Sequence, residues 1–347
     1  MRKIAALFLL SACVVLARPK ALFYMTESPE SVRSFLAHVN KVDIIVPTWY
    51  QVDANGLVWG GPNPLVLQTA KAHHVPVVPI VTNSGFNQEA FHKLASNADA
   101  RQSFLRALIS ECKKNGYEGI QFDLEHLLWT DRDALTQLVA EAADSFHKER
   151  LQLSIATVPN APGTPGESNY SHWNFENWQG AYDLKALAQH VDLICLMTYS
   201  QHTVLTPPGP IAAYPWTVQN LDYALQSVPK ERLSLGIPVY GSHWFAGDPI
   251  HAADGKDTAH VLSSTITGQD AQLLIDTYHP QVEWDDHDKS TWFYFYRAGT
   301  REWVFYTDRR TFQARYNLTT ERGLQGFCSW VLGEEDPGIW DVLPAHQ

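Results

Sequence analysis

Nine consecutive residues, Tyr117-Glu118-Gly119-Ile120-Gln121-Phe122-Asp123-Leu124-Glu125, constrain the fold of this chain more than any other segment. Alternate side chains of a β-strand share a face. Gln121, Asp123 and Glu125 therefore point one way, and Ile120, Phe122 and Leu124 the other. Polar residues inside and apolar residues outside do not suit a sandwich of two sheets. They suit a barrel of strands wrapped in helices. Glu125 comes last, where the strand gives way to a loop, and barrel enzymes carry their chemistry at that end. A carboxylic acid beside a second carboxylate is the usual equipment for breaking a glycosidic bond. An isolated Asp-x-Glu is far more often a solvated surface pair. Its placement inside an apolar strand, after Gly119, is what changes the reading.

The rest of the chain repeats an alternation of strand and helix. Strand-like runs fall at 21–25, 42–47, 75–81, 118–125, 151–158, 191–198, 233–239 and 326–331. Helix-like stretches lie between them at 29–39, 98–115, 132–147, 216–227 and 311–321. Eight parallel strands, each apolar toward the helices, predict an α/β (β/α)8 TIM barrel. Two stretches exceed a minimal barrel. Residues 160–179 form a long segment rich in Pro, Gly, Ser, Asn and Trp after the fifth strand, of the kind that shapes a binding cleft. Residues 242–307 contain a helical pattern at 268–278 and strand-like runs at 281–284, 291–296 and 302–306. They predict a small α+β insertion between strands seven and eight, forming one wall of a groove.

The formal net charge of −11, with no basic cluster, argues against nucleic acid and anionic membrane surfaces as partners. Twelve Trp and fourteen Tyr suit a protein whose aromatic faces stack on sugar rings, although many will serve the core. Arg2-Lys3 followed by the apolar run 4–17 reads as a secretory signal ending at Ala17, which leaves 18–347 as the mature chain. Leu10-Ser11-Ala12-Cys13 offers a rival reading, a lipoprotein box with Cys13 lipidated. Simple export is preferred because the apolar run continues past Cys13. The expected location is therefore secreted or periplasmic. The remaining Cys112, Cys195 and Cys328 are too few and too scattered for a disulfide framework. His73, His74 and His126 lack the spacing of a metal site.

The segment 118–125 resembles the fourth-strand signature of glycoside hydrolase family 18, the chitinase family, Asp-Gly-x-Asp-x-Asp-x-Glu. Asp123 and Glu125 match its last two acids, Glu118 replaces the first, and Gln121 replaces the middle one. Leu196-Met197-Thr198-Tyr199 at the end of strand six and Ser329-Trp330 near the end of strand eight match further motifs in the right order. The insertion before the last strand is also a trait of that family. Pro207-Pro208-Gly209-Pro210-Ile211, Gly236-Ile237-Pro238-Val239-Tyr240-Gly241 and Trp330-Val331-Leu332-Gly333-Glu334-Glu335-Asp336-Pro337 resemble its cell-wall and spore-cortex branch in particular.

The resemblance implies an exported glycosidase cleaving β-1,4 bonds after N-acetylglucosamine, in peptidoglycan or chitin, with retention and without metal or cofactor. Glu125 is then the general acid, and Asp123 orients the substrate's acetamido group, whose oxygen is the nucleophile. Tyr199 holds that oxygen, Met197 packs below it, and Trp330 forms an apolar floor. Gln121 is expected to hydrogen-bond Asp123 without exchanging a proton. Tyr24, Trp49 and Tyr240 are candidate subsite aromatics, each equally able to be ordinary packing. The implied partner is an N-acetylglucosamine-containing polysaccharide, with no nucleic acid or obligate protein partner and a monomeric state. A sugar-binding protein without activity is the rival reading. Retention of Glu125 argues for the enzyme.

Overall fold

The computed structural model describes residues 18–203, 206–246 and 261–345. Residues 1–17, read from sequence as an export segment, lie outside the described residues together with Cys13. Eight parallel strands form the central sheet: β1 Lys20–Met25, β2 Ile44–Pro47, β3 Ile80–Asn83, β4 Gly119–Asp123, β5 Gln152–Thr157, β6 Leu193–Leu196, β7 Leu233–Pro238 and β8 Gly326–Trp330. Their order around the sheet is β2, β1, β8, β7, β6, β5, β4, β3. A parallel bridge between Ile45 and Val77 joins the two ends, with Ile45 N donating to Pro76 O and Val78 N to Ile45 O at 3.0 Å each. The sheet is thus a closed (β/α)8 barrel.

Side-chain parity follows the two-residue period of each strand. Ile120, Phe122 and Leu124 point outward into the main core with Phe104, Leu138 and Phe146 of the surrounding helices. The barrel interior is a separate, smaller cluster that includes Leu22, Tyr24, Val46, Ile80, Ala156, Cys195 and Cys328. Gln121 and Asp123 of β4 are buried on that inner side. The helices carry the local signals their sequence supplies. Asn97 caps Ala98–Asn115 by accepting from Asp99 N and Ala100 N, and Gly116 closes it at φ +72°.

The structure departs from the sequence reading in three places. After Pro47 the chain re-enters the sheet at Tyr50–Val52, parallel to β3, and turns back through Val58–Gly60. These strands have three residues each, too short for periodicity to reveal. The segment 160–179 is not a plain loop. It contains a helix Asn169–Asn174, started by a reciprocal Ser168–Ser171 capping box, and a wide helical turn Phe175–Gln179. Residues 242–307 gain two strands, Gly241–Ala246 and Val261–Ile266, the second largely exposed and so without an apolar alternation.

These two strands join Glu283–Asp285, Ser290–Arg297 and Thr300–Tyr306 in an antiparallel sheet of five. The helix Gly268–Tyr278 covers one face, packing Ala271, Leu274 and Ile275 on Phe293, Phe295 and Val304. Arg315 ties this unit to the barrel. Its guanidinium is buried and donates to four carbonyls: Lys289 at 2.6 Å, Thr311 at 3.1 Å, Asp288 at 3.3 Å, and Ala212. Burial lowers its pKa to about 10, and the carbonyl dipoles stand in for a carboxylate partner. Arg315→Met keeps the length but removes a buried donor from these carbonyls, of which Asp288 O retains Tyr214 N. It should lower unfolding free energy by about 3 kcal/mol or more in a denaturant titration.

Candidate active site

The C-terminal ends of the barrel strands open into a cavity of about 540 Å3. Asp123, the last residue of β4, and Glu125, two residues beyond it, both line this cavity. A hydrogen bond joins the two carboxyls, and both have raised pKa values. Asp123 is pushed up to about 7 by burial, against which the bond from Glu125 works. Glu125 is raised further, first by burial and then by the negative charge of Asp123. The pair therefore holds one proton near neutrality, carried by Glu125 and shared toward Asp123. The second carboxylate oxygen of Asp123, Oδ1, is buried and accepts from no group among the described residues.

Around this pair the barrel supplies a pocket with polar groups on an apolar lining. Tyr24 from β1 and Trp330 from the end of β8 meet at 5.6 Å between ring centroids. Met197 and Tyr199 follow β6, and Tyr240 follows β7. Tyr24 and Tyr199 are buried phenols; Tyr24 is hydrogen-bonded to the thiols of Cys195 and Cys328, and the Tyr199 hydroxyl has no partner among the described residues. Burial raises the pKa of both, and it pushes Tyr240 up to about 12. All three thus stay protonated and able to donate.

Seven of the nine residues singled out from sequence line this one cavity: Glu125, Asp123, Tyr199, Met197, Trp330, Tyr24 and Tyr240. Gln121 and Trp49 do not. Gln121 lies one inward position below Asp123 and is completely buried. Its amide donates to Ser154 Oγ and Cys195 Sγ, both at 3.2 Å, rather than to Asp123. Two residues along a strand are separated by about 6.6 Å, so a neighbouring strand is the nearer partner. Trp49 is 4% exposed and belongs to the outer core. Its indole donates to Glu27 Oε1 at 2.6 Å, because the turn after β2 directs it away from the barrel axis.

The cavity also has residues that strand patterns do not single out. Tyr170, Trp173, Asn174, Trp178 and Gln179, from the helical segment after β5, form one wall, with Trp216 nearby. Tyr170 and Trp173 stack at 6.0 Å and are 48% and 45% exposed. Trp178 stacks on His126, the residue after Glu125, at 4.7 Å. The signal was the density of aromatics in 160–179, with Tyr170 and Trp173 at helical i, i+3 spacing. No described residue of 242–307 lines the cavity, so among the described residues the segment after β5 supplies this wall.

The sequence profile of glycosyl hydrolases family 18 matches residues 20–335. The chain is 26% identical over 298 residues to the cortical fragment-lytic enzyme of Bacillus subtilis (strain 168), covering 85% of this chain and 65% of that protein. Its fold matches a chitinase from Chromobacterium violaceum with a TM-score of 0.81 at 22% identity, covering 93% of this chain and 97% of that one. It matches the spore cortex-lytic enzyme SleL of Bacillus megaterium with a TM-score of 0.80 at 21% identity, covering 94% and 73%. The barrel, the order of its motifs and the match along nearly its whole length agree: the chain belongs to glycosyl hydrolase family 18 and is a glycoside hydrolase.

Proposed function

We propose that residues 18–347 act as a single exported, monomeric catalytic unit that hydrolyses β-1,4 bonds after N-acetylglucosamine with retention of configuration. The observation that carries this reading is the buried, hydrogen-bonded pair Asp123–Glu125 facing a pocket that holds the phenol of Tyr199, unpaired among the described residues. Glu125 gives its proton to the glycosidic oxygen as the C1–O bond breaks. The acetamido oxygen of the same sugar forms the new bond to C1. Asp123 accepts the acetamido N–H through Oδ1 and balances the positive ring that results. Tyr199 donates to the acetamido oxygen. Met197 and Trp330 support the sugar, and Tyr24 and Tyr240 bound it. Water then attacks C1, its proton returns to Glu125, and the ring opens with the acetamido group restored.

The leaving sugar has a place in the same scheme. The floor residues Trp330 and Tyr24 come from β8 and β1, while Glu125 follows β4, across the barrel. The segment after β5 lies on the Glu125 side, joined to it by the Trp178–His126 stack. A sugar beyond the scissile oxygen therefore meets Tyr170 and Trp173, whose exposed rings suit stacking on a pyranose. Peptidoglycan is the preferred polymer, supported by the wall- and cortex-branch motifs and by relatives named as cortex-lytic enzymes.

Glu125→Gln should lower kcat on N-acetylglucosamine oligomers or purified peptidoglycan by about 100-fold or more, measured by mass spectrometry of the products. Unchanged cleavage by this variant, or activity on plain glucans without inhibition by a thiazoline analogue, would sink the mechanism. Trp173→Ala should reduce kcat/KM on such oligomers about tenfold more than on a substrate whose leaving group is 4-nitrophenol.

The pH behaviour has a definite sign. Activity needs Asp123 ionised and Glu125 protonated, so kcat/KM should rise through about pH 7 as the pair loses its first proton and fall when it loses the second. Asp123 keeps its proton in the folded chain up to about pH 7. Unfolded, the same carboxyl ionises near pH ~4. The folded state then binds more protons in that window, so stability falls as pH rises across it. Asp123→Asn removes this loss. Its Tm should exceed that of the wild type at about pH 8, and the gap should close toward about pH 3.

A further inference from the structure

Glu125 is not held by the sheet that delivers it. The parallel ladder between β3 and β4 pairs Ile80 with Gln121, Val81 with Phe122 and Thr82 with Asp123, and ends there. Past this point β3 turns away through Ser84–Phe86, with Gly85 at φ +60° and Phe86 at φ +49°. The backbone of Glu125 is thus left without a strand neighbour. The carboxamide of Asn83 takes that place. Its Oδ1 accepts from Glu125 N at 3.0 Å, and its Nδ2 donates to Glu125 O at 3.0 Å. One side-chain amide makes both bonds that the backbone of a neighbouring strand would otherwise make to this residue.

Asn83 precedes a helical turn, a position where Asn commonly caps with its side chain. Here it makes no such cap bond. It is 1% exposed and does not line the cavity, so it does not reach substrate. Tyr182 supports the same stretch from below, its hydroxyl donating to Leu124 O at 2.7 Å. His126, at φ +54°, bonds through Nδ1 to Phe86 O at 3.1 Å. The charge that acts on Glu125 is that of Asp123, and a charge on Glu125 in turn acts on the neutral phenols of Tyr182, Tyr199 and Tyr240.

We infer that Asn83 is a positioning residue: its carboxamide extends the sheet by one rung and so fixes the Glu125 carboxyl against Asp123 and the scissile oxygen. The inference rests on Glu125 being the acid. Misplacing that carboxyl slows proton transfer without weakening sugar binding.

Asn83→Ala should lower kcat at least tenfold with KM within twofold. It should also move the alkaline limb of the pH profile to lower pH, because a loosened Glu125 meets more water and less of Asp123. Asn83→Asp supplies a sharper test. The introduced carboxyl, when protonated, accepts with one oxygen and donates with the other, as the amide does. Once ionised it cannot donate. The activity of this variant relative to wild type should therefore be greatest at the acid end and fall as pH rises. A wild-type kcat and pH profile for Asn83→Ala, or a loss confined to Tm or KM, overturns the assignment. If that variant fails to fold, a pH-independent ratio for Asn83→Asp overturns it instead. Full activity of Glu125→Gln is a separate result: it removes the acid, and with it the premise.

Discussion

One proton held between two buried carboxyls is the constraint around which this structure is arranged. Two adjacent negative charges removed from water repel each other strongly, and two neutral acids offer neither a base nor an ion. A single shared proton is the useful state, and it survives only while the surroundings exclude water without offering a better partner. The barrel mouth meets both conditions. Asp123 is fixed by the last rung of β4, and the nearby phenols remain neutral because they too are buried. Among the described residues no arginine or lysine lines the cavity, and a cation there would hold both carboxyls ionised.

That arrangement costs stability, which the rest of the chain supplies through apolar packing. The interior of the barrel below the pair is small and partly polar, with Gln121 bonded to both Ser154 and Cys195. The larger apolar cluster lies between strands and helices, on the opposite face of the same strands. Each strand therefore has a stabilising side and a working side. Replacement of a carboxylate by Gln121 is compatible with this division. A neutral amide at the second inward level finds partners on β5 and β6 and leaves Asp123 hydrogen-bonded to Glu125 and facing the cavity.

Much of this was legible in the sequence because a strand's period of two is strict. The inward alternation of Gln121 and Asp123 and the eight strands follow from it, whereas the residues ending β6 and β8 stood out only through the family resemblance of their motifs. Periodicity carries no information once the chain leaves the sheet. Trp49 sits just past a strand end, where one turn decides between the barrel mouth and the outer core. Asn83 gave no pattern at all. Its importance comes from a tertiary coincidence, a neighbouring backbone that ends one residue too soon. Tyr170 and Trp173 were visible only as part of an aromatic-rich segment, since their helix depends on a serine capping box rather than on an apolar stripe.

The stack of His126 on Trp178 ties two segments that differ in task. One carries the acid, and the other carries the exposed rings of the cavity wall. Segments at barrel mouths are often treated as exchangeable parts, replaced to alter substrate choice while the catalytic strands are kept. This contact limits such exchange. A replacement for 169–179 that lacks an aromatic ring at position 178 would change the wall and also release the residue following Glu125. Substrate preference and catalytic geometry are thus not independent variables in this barrel, and mutations at position 178 are constrained by both.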